Sequence, residues 1–205
     1  MTPRQYKEFA ATEKEIRKKM LQSEAEAWHF PISDDSTQLH EVLDGMKGFK
    51  LLPKDVPLVI KLVENPKYFT SKIFTGAVDL FTHDCVHVIL GRGLLLKDEA
   101  FVIGFTMGST KQMKRWRRNL FMLICKYLYP EGYKFGEQER YVFYSGVMAG
   151  SRCPTDLTQV DFGALADYKV QGVREKLGID REVLSCCYCM EKKLFPESAE
   201  SQRLT

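Results

Sequence analysis

The sequence predicts an all-α fold, a single-domain helical bundle of about seven to nine helices, and three observations carry that expectation. Apolar residues recur at spacings of three and four along most of the 205 residues, as they do on one face of a helix. Asp, Ser or Thr precedes these stretches and Gly or Pro follows them, which are the usual start and stop signals. No pair of segments shows the matching strict alternation that neighbouring strands need.

With 44% hydrophobic and 12% aromatic residues, the chain is long enough to bury a substantial core. That core is expected within residues 1–195, followed by a flexible polar tail at 196–205. Thirty basic residues against 27 acidic ones leave a net charge of +3, which does not call for nucleic acid. The first residues include Glu8, Glu13 and Glu15 and hold no apolar h-region, so neither a secretory signal nor a transit peptide is expected. A cytoplasmic location with six reduced cysteines follows. No run of eighteen apolar residues occurs, which leaves peripheral contact as the form of membrane attachment still open.

Thr2, Pro3 and Gln5 mark the first helix, with Thr2 as N-cap and Gln5 as its capping-box partner. Tyr6, Phe9, Ile16, Met20 and Trp28 give it a thin apolar stripe, suited to the outside of a bundle or to contact with a second copy in a homo-oligomer. His29, Phe30 and Pro31 end it, and residues 34–37 offer caps for a second helix facing inward through Leu39, Val42, Leu43 and Met46. His29 and His40 read as helix-surface residues, because neither has a second ligand nearby. Asp55 caps a short helix over residues 56–63, which Asn65 and Pro66 stop.

Residues 76–90 form the next helix, where Val78, Phe81, Thr82, Cys85, Val86 and Ile89 keep the helical spacing. His83 and His87 fall one turn apart on one face, and Asp84 borders it. Gly91, Arg92 and Gly93 then reverse the chain. A helix opening at Lys97, Asp98 and Glu99, with Asp98 as N-cap, brings the Glu99 carboxylate over the histidines. Two imidazoles and two carboxylates suit a divalent metal, zinc first and iron or manganese next. Asp79, one turn before His83, is placed to accept an imidazole N–H and orient the ring. A plain surface pair of histidines is the competing reading, and it is weakened by four donors falling where two helices and a glycine reversal gather them.

His83 and Asp84, then His87, then Glu99 after eleven further residues, resemble the signature of the ubiquinone (coenzyme Q) biosynthesis protein Coq four family, over roughly residues 53–108. Where that family has Gly-Glu, this chain has Asp98 and Glu99. The resemblance implies that His83, Asp84, His87 and Glu99 hold the metal and form the catalytic site. It further implies a prenylated lipid or quinone precursor as partner, membership of a biosynthetic complex, and loss of the C1 carboxylate of a polyprenylated aromatic ring with its hydroxylation. Two other readings stand beside it. One is a metal-dependent phosphohydrolase, for which Arg92 is the nearest cation; the other is a prenyl-lipid scaffold whose metal only staples two helices.

After Glu99 the chain is almost wholly apolar to Gly108, and Gly104 and Gly108 permit close approach by a neighbouring helix or an elongated apolar ligand. Ser109 and Gln112 look like a new capping box. Lys111, Lys114, Arg115, Arg117 and Arg118 surround Trp116 in the chain's one basic patch, which reads as a membrane or anion surface or as a solvated helix face. Tyr129 to Gly132 stops that helix, and another runs over residues 137–150, carrying Tyr141 and Tyr144 one turn apart. Two further helical patterns hold Leu165, Tyr168 and Leu177, then Val183, Leu184, Cys187 and Leu194, the second capped by Asp180. Cys186 and Cys189 form a Cys-x-x-Cys that lacks the second ligand pair of a zinc site.

Overall fold

The structure is a computed structural model, and it describes residues 28–46, 78–111, 114–129 and 134–204. The expected helices at residues 2–27 and 56–63 lie outside these. The rest is helical: α1 Leu39–Met46, α2 Leu80–Leu90, α3 Leu96–Ser109, α4 Arg115–Tyr127, α5 Glu137–Arg152, α6 Val170–Leu177, α7 Arg181–Leu194 and α8 Ala199–Gln202. Short 3-10 turns occupy Leu157–Gln159 and Gly163–Leu165. Among the described residues there is no strand, only one antiparallel bridge between Gln38 and Lys169. The all-α bundle expected from the apolar spacing is the observed fold.

Helix α2 lies at the centre, packed against α1, α3 and α6. Eight of its eleven residues are buried, as a helix that is apolar nearly all round demands. Asp79 caps its start, accepting from the Thr82 N–H at 2.8 Å, and Gly91 ends it in the left-handed conformation at φ 67° that a glycine adopts without strain.

Helices α3 and α5 pack most closely. A Cβ on Gly104 would sit inside the contact distance of the Phe143 carbonyl, and one on Gly108 would do the same to Val147. Gly146 and Gly150 meet the carbonyls of Phe101 and Phe105 in return. Because 104 and 108 face 143 and 147 in the same order, the two helices run parallel, and α4 makes the return between them. The neighbouring helix therefore fills the space that Gly104 and Gly108 leave, so this seam holds no elongated ligand.

Several local expectations are corrected. Leu95, not Asp98, precedes α3; Asp98 is its third residue, and its carboxylate reaches back to the Leu95 N–H at 3.1 Å. Ser109 is the last residue of α3, with its hydroxyl donating to the Thr106 carbonyl at 2.7 Å, so it starts no helix. Leu165 and Tyr168 belong to a 3-10 turn and a loop before α6 rather than to the helix itself. The segment after Pro196 is not a frayed tail: it forms α8, with Ser201 and Leu204 fully buried.

The seam gives a direct test. Gly104→Ala and Gly150→Ala each place a methyl against a backbone carbonyl and should cost about 1–3 kcal/mol in urea denaturation. Gly172→Ala in α6, where nothing lies within 4 Å of the added carbon, should instead stabilise by about 0.5–1 kcal/mol.

Candidate metal centre

His83 and His87 project from one face of α2 toward the first turn of α3, and the Gly91 to Leu95 turn brings Glu99 to them. The Nε2 atoms of the two histidines are 3.0 Å apart. Glu99 Oε2 lies 3.0 Å from His83 Nε2, and Oε1 lies 3.3 Å from His87 Nε2. Each residue thus offers one donor atom to the same small volume, and the cluster can hold a metal ion.

The donor set passes a simple fit test. A cation about 2.0–2.1 Å from each donor separates tetrahedral donors by about 3.3–3.4 Å and octahedral ones by about 2.8–3.0 Å. The observed spacings of 3.0 to 3.3 Å fall in that range. The tautomer also fits. His87 Nδ1 is 2.7 Å from the Gly93 carbonyl, which only accepts, so Nδ1 carries the proton and Nε2 is the nitrogen left to offer a lone pair to a cation once its own proton is gone.

The rings differ in access. His87 is fully buried, His83 is half-buried, and the Glu99 side chain is 33% exposed, so the cluster opens to solvent on the carboxylate side. Burial pushes the Glu99 carboxyl up, but His87 and then His83 beside it outweigh burial and hold it well below the usual carboxylate range. Leu80 and Phe81 are exposed at the start of α2, with Leu80 one turn before His83, and the half-buried Leu94, Leu95 and Leu96 lead into Glu99. Leu80 shares the histidine face of α2 and therefore sets exposed apolar surface beside His83, whereas Phe81 lies on another face of the helix.

Not every expected member joins. Asp84 is buried on α2 next to His83, but among the described residues the converging donor atoms are those of His83, His87 and Glu99. Asp79 does not orient His83: both its carboxylate oxygens are used at the helix start, one by the Thr82 N–H and one by the Thr82 hydroxyl at 3.3 Å. The orienting role falls to the Gly93 carbonyl on His87, a backbone group that no side-chain pattern announces. His40 bonds the Ala166 carbonyl at 3.2 Å and stays apart.

Arg92 is fully buried and committed elsewhere. Its guanidinium pairs with both oxygens of Glu191 at 2.7 and 3.3 Å, lies 3.7 Å from Asp98, and sits between the rings of Phe101 and Tyr188. Burial would weaken its charge, yet Glu191 above all keeps it firmly protonated.

The basic patch forms the start of α4. Lys114 precedes the helix and Arg115, Arg117 and Arg118 fill its first turn, where the helix dipole disfavours cations. Phe121, Met122 and Cys125 face the core. On the opposite side Trp116, Leu120, Leu123 and Tyr127 follow one another at spacings of four, three and four, with Trp116, Leu123 and Tyr127 exposed by 51%, 54% and 64%. Tyr144 donates to Asn119 and Tyr141 packs edge-on to Phe195, so both tyrosines pack against neighbours. Cys186 and Cys189 are free and exposed on α7.

Set beside known proteins, the chain matches no family model, no curated protein and no solved structure.

The lowered Glu99 carboxyl has a pH signature in metal-free protein. Its contribution is complete above the unfolded glutamate value of about 4.5 and is lost as pH falls toward the lower folded value. Glu99→Gln should therefore flatten the acid limb of a stability-against-pH curve measured by urea denaturation below pH 4.5, and an unchanged acid limb would show that the carboxylate gains nothing from the two imidazoles.

Proposed function

We propose that the chain binds one divalent cation, zinc being the best suited, through His83, His87 and Glu99, and uses this site to bind or transform a polyprenylated aromatic ring of the ubiquinone-precursor kind. The single observation that carries the metal is the convergence of three donors within 3.0 to 3.3 Å, with the His87 tautomer already set by Gly93. Iron or manganese fits the same donors less selectively.

Three protein ligands among the described residues, rather than four, favour a site with an open position over a closed structural staple. The cation, when bound, supplies Lewis acidity next to a carboxylate or phenolic oxygen, or oxygen chemistry if it is redox-active. His87 holds its ring nitrogen from within the core and His83 from a half-buried position one turn away, while Glu99 faces the entrance and meets whatever enters. Leu80, one turn before His83, and Leu95, one turn before Glu99, offer an apolar tail a surface beside that entrance. The phosphohydrolase alternative has less support: Arg92, the cation it would need, is spent on Glu191 and Asp98. C1 decarboxylation with hydroxylation is the reaction that the resemblance to the ubiquinone-biosynthesis family suggests.

Peripheral docking on an anionic bilayer through α4 belongs to the same reading. Residues 111–128 hold six cations and no carboxylate, and among the described residues no helix is long and apolar enough to cross a membrane. The crest of α4 is apolar, with Arg115 and Lys126 on one flank and Arg117 on the other, which is the layout for burying rings while cations meet headgroups. A second copy would set six cations against six. Nucleic acid would want the cations on the crest.

Elemental analysis of purified protein should find about one metal per chain, lost in His83→Ala, His87→Ala and Glu99→Ala, and an organic extract of wild-type protein should carry a prenylated aromatic compound. Metal retained in all three variants would sink the site. Separately, sedimentation should show binding to vesicles containing phosphatidylglycerol but little to pure phosphatidylcholine, and Leu123→Asp or Arg115→Glu should reduce it severalfold with helicity unchanged. Equal binding of the variants would remove α4 from the membrane.

A further inference from the structure

We propose that segment 198–204 is a clamp that sets the metal site, with Glu200 and Arg203 as its positioning residues. The inference rests on reading His83, His87 and Glu99 as ligands, and it assigns a role in that site to residues about a hundred positions away from the motif.

The clamp holds both parts that arm the cluster. On the α3 side, Glu200 Oε1 accepts the backbone N–H groups of Lys97 at 2.5 Å and Asp98 at 3.2 Å, two of the otherwise unpaired donors in the first turn of the helix that carries Glu99. Leu95, which precedes that helix, has no side-chain acceptor of its own, so Glu200 supplies the cap from outside. Lys97 Nζ closes the contact on Ser198 and Glu200, at 3.0 and 3.4 Å. On the turn side, the Arg203 guanidinium pairs with Asp98 and covers Gly93 so closely that a Cβ there would overlap it. Gly93 is the residue whose carbonyl fixes the His87 tautomer.

The clamp is itself anchored. Ser201 donates to Glu191 Oε1 at 3.0 Å, and Glu191 holds Arg92, which sits in the same turn as Gly93. Ser201 and Leu204 are fully buried. Asp98 is where these lines meet: it accepts from Leu95, faces Arg92 and pairs with Arg203, immediately before Glu99. Asp98, placed where the resembled family has glycine, thus has a use in this chain as the grip for Arg203.

Outer partners of this kind change metal affinity without touching the metal. Removing Arg203 or Glu200 leaves all three donors in place but frees the turn and the first turn of α3. The test uses the full chain and zinc alone. Zinc affinity is read by chelator competition and the His87 tautomer by imidazole 15N shifts in metal-free protein, with circular dichroism verifying the fold of each variant. Arg203→Ala and Glu200→Ala should weaken zinc about 10- to 100-fold, and Arg203→Ala should turn the single Nδ1–H tautomer into a mixture. Arg203→Lys should recover part of both. Arg181→Ala, which breaks an ion pair with Asp35 on another face, controls for general loosening and should change neither. Wild-type affinity and tautomer in both Arg203→Ala and Glu200→Ala would overturn the clamp. Should wild-type protein take up no zinc, the metal reading falls, and the tautomer alone decides the clamp: a mixture in Arg203→Ala supports it and a single tautomer overturns it.

Discussion

A helix buried on nearly every side cannot leave its polar groups to water, and that constraint on α2 organises the molecule around it. Its last carbonyls need donors, and distant elements bring them: Arg174 of α6 donates to Ile89 at 2.8 Å, and the Tyr188 hydroxyl of α7 donates to Leu90. Its buried imidazole needs an acceptor, which the turn at Gly93 supplies. The residues that make the site possible are thus spread from Gly93 to Arg203, although its donors occupy only 83–99.

The fold was readable because its cause is local. Apolar spacing set the helices, and Asp180, expected as a cap, accepts from the Glu182 and Val183 N–H groups at the start of α7. Glu137 was expected to open a helix, and α5 begins there. The core of the site was readable for a related reason: two histidines four apart on a helix must share a face, and a glycine reversal must bring the next helix back. What escaped depends on tertiary placement. Asp79 and Asp98 both had suitable spacing for the roles expected of them, but spacing does not say which of several nearby N–H groups a carboxylate will take. Residues 196–205 are polar, and polarity reads as solvent exposure until Arg92, Asp98 and Glu191 show that the interior there is charged as well.

The same contrast separates the two arginine-rich regions. Arg92 and Arg174 are buried and committed inside the fold, Arg92 to Glu191 and Arg174 to the Ile89 carbonyl. The arginines of α4 stand at the end of a helix that electrostatics would have them avoid, beside aromatic rings that face outward. Local preferences broken at an exposed position point to a demand from outside the fold rather than from within it.

The glycine seam between α3 and α5 carries one last implication. Its contacts repeat every four residues, so the two helix surfaces mesh like a rack whose teeth are four residues apart, about 6 Å. Sliding by any smaller amount drives a carbonyl into a neighbouring backbone. The nearest alternative setting would carry Glu99 a full tooth along α5, so its height on that helix is fixed in steps and does not drift.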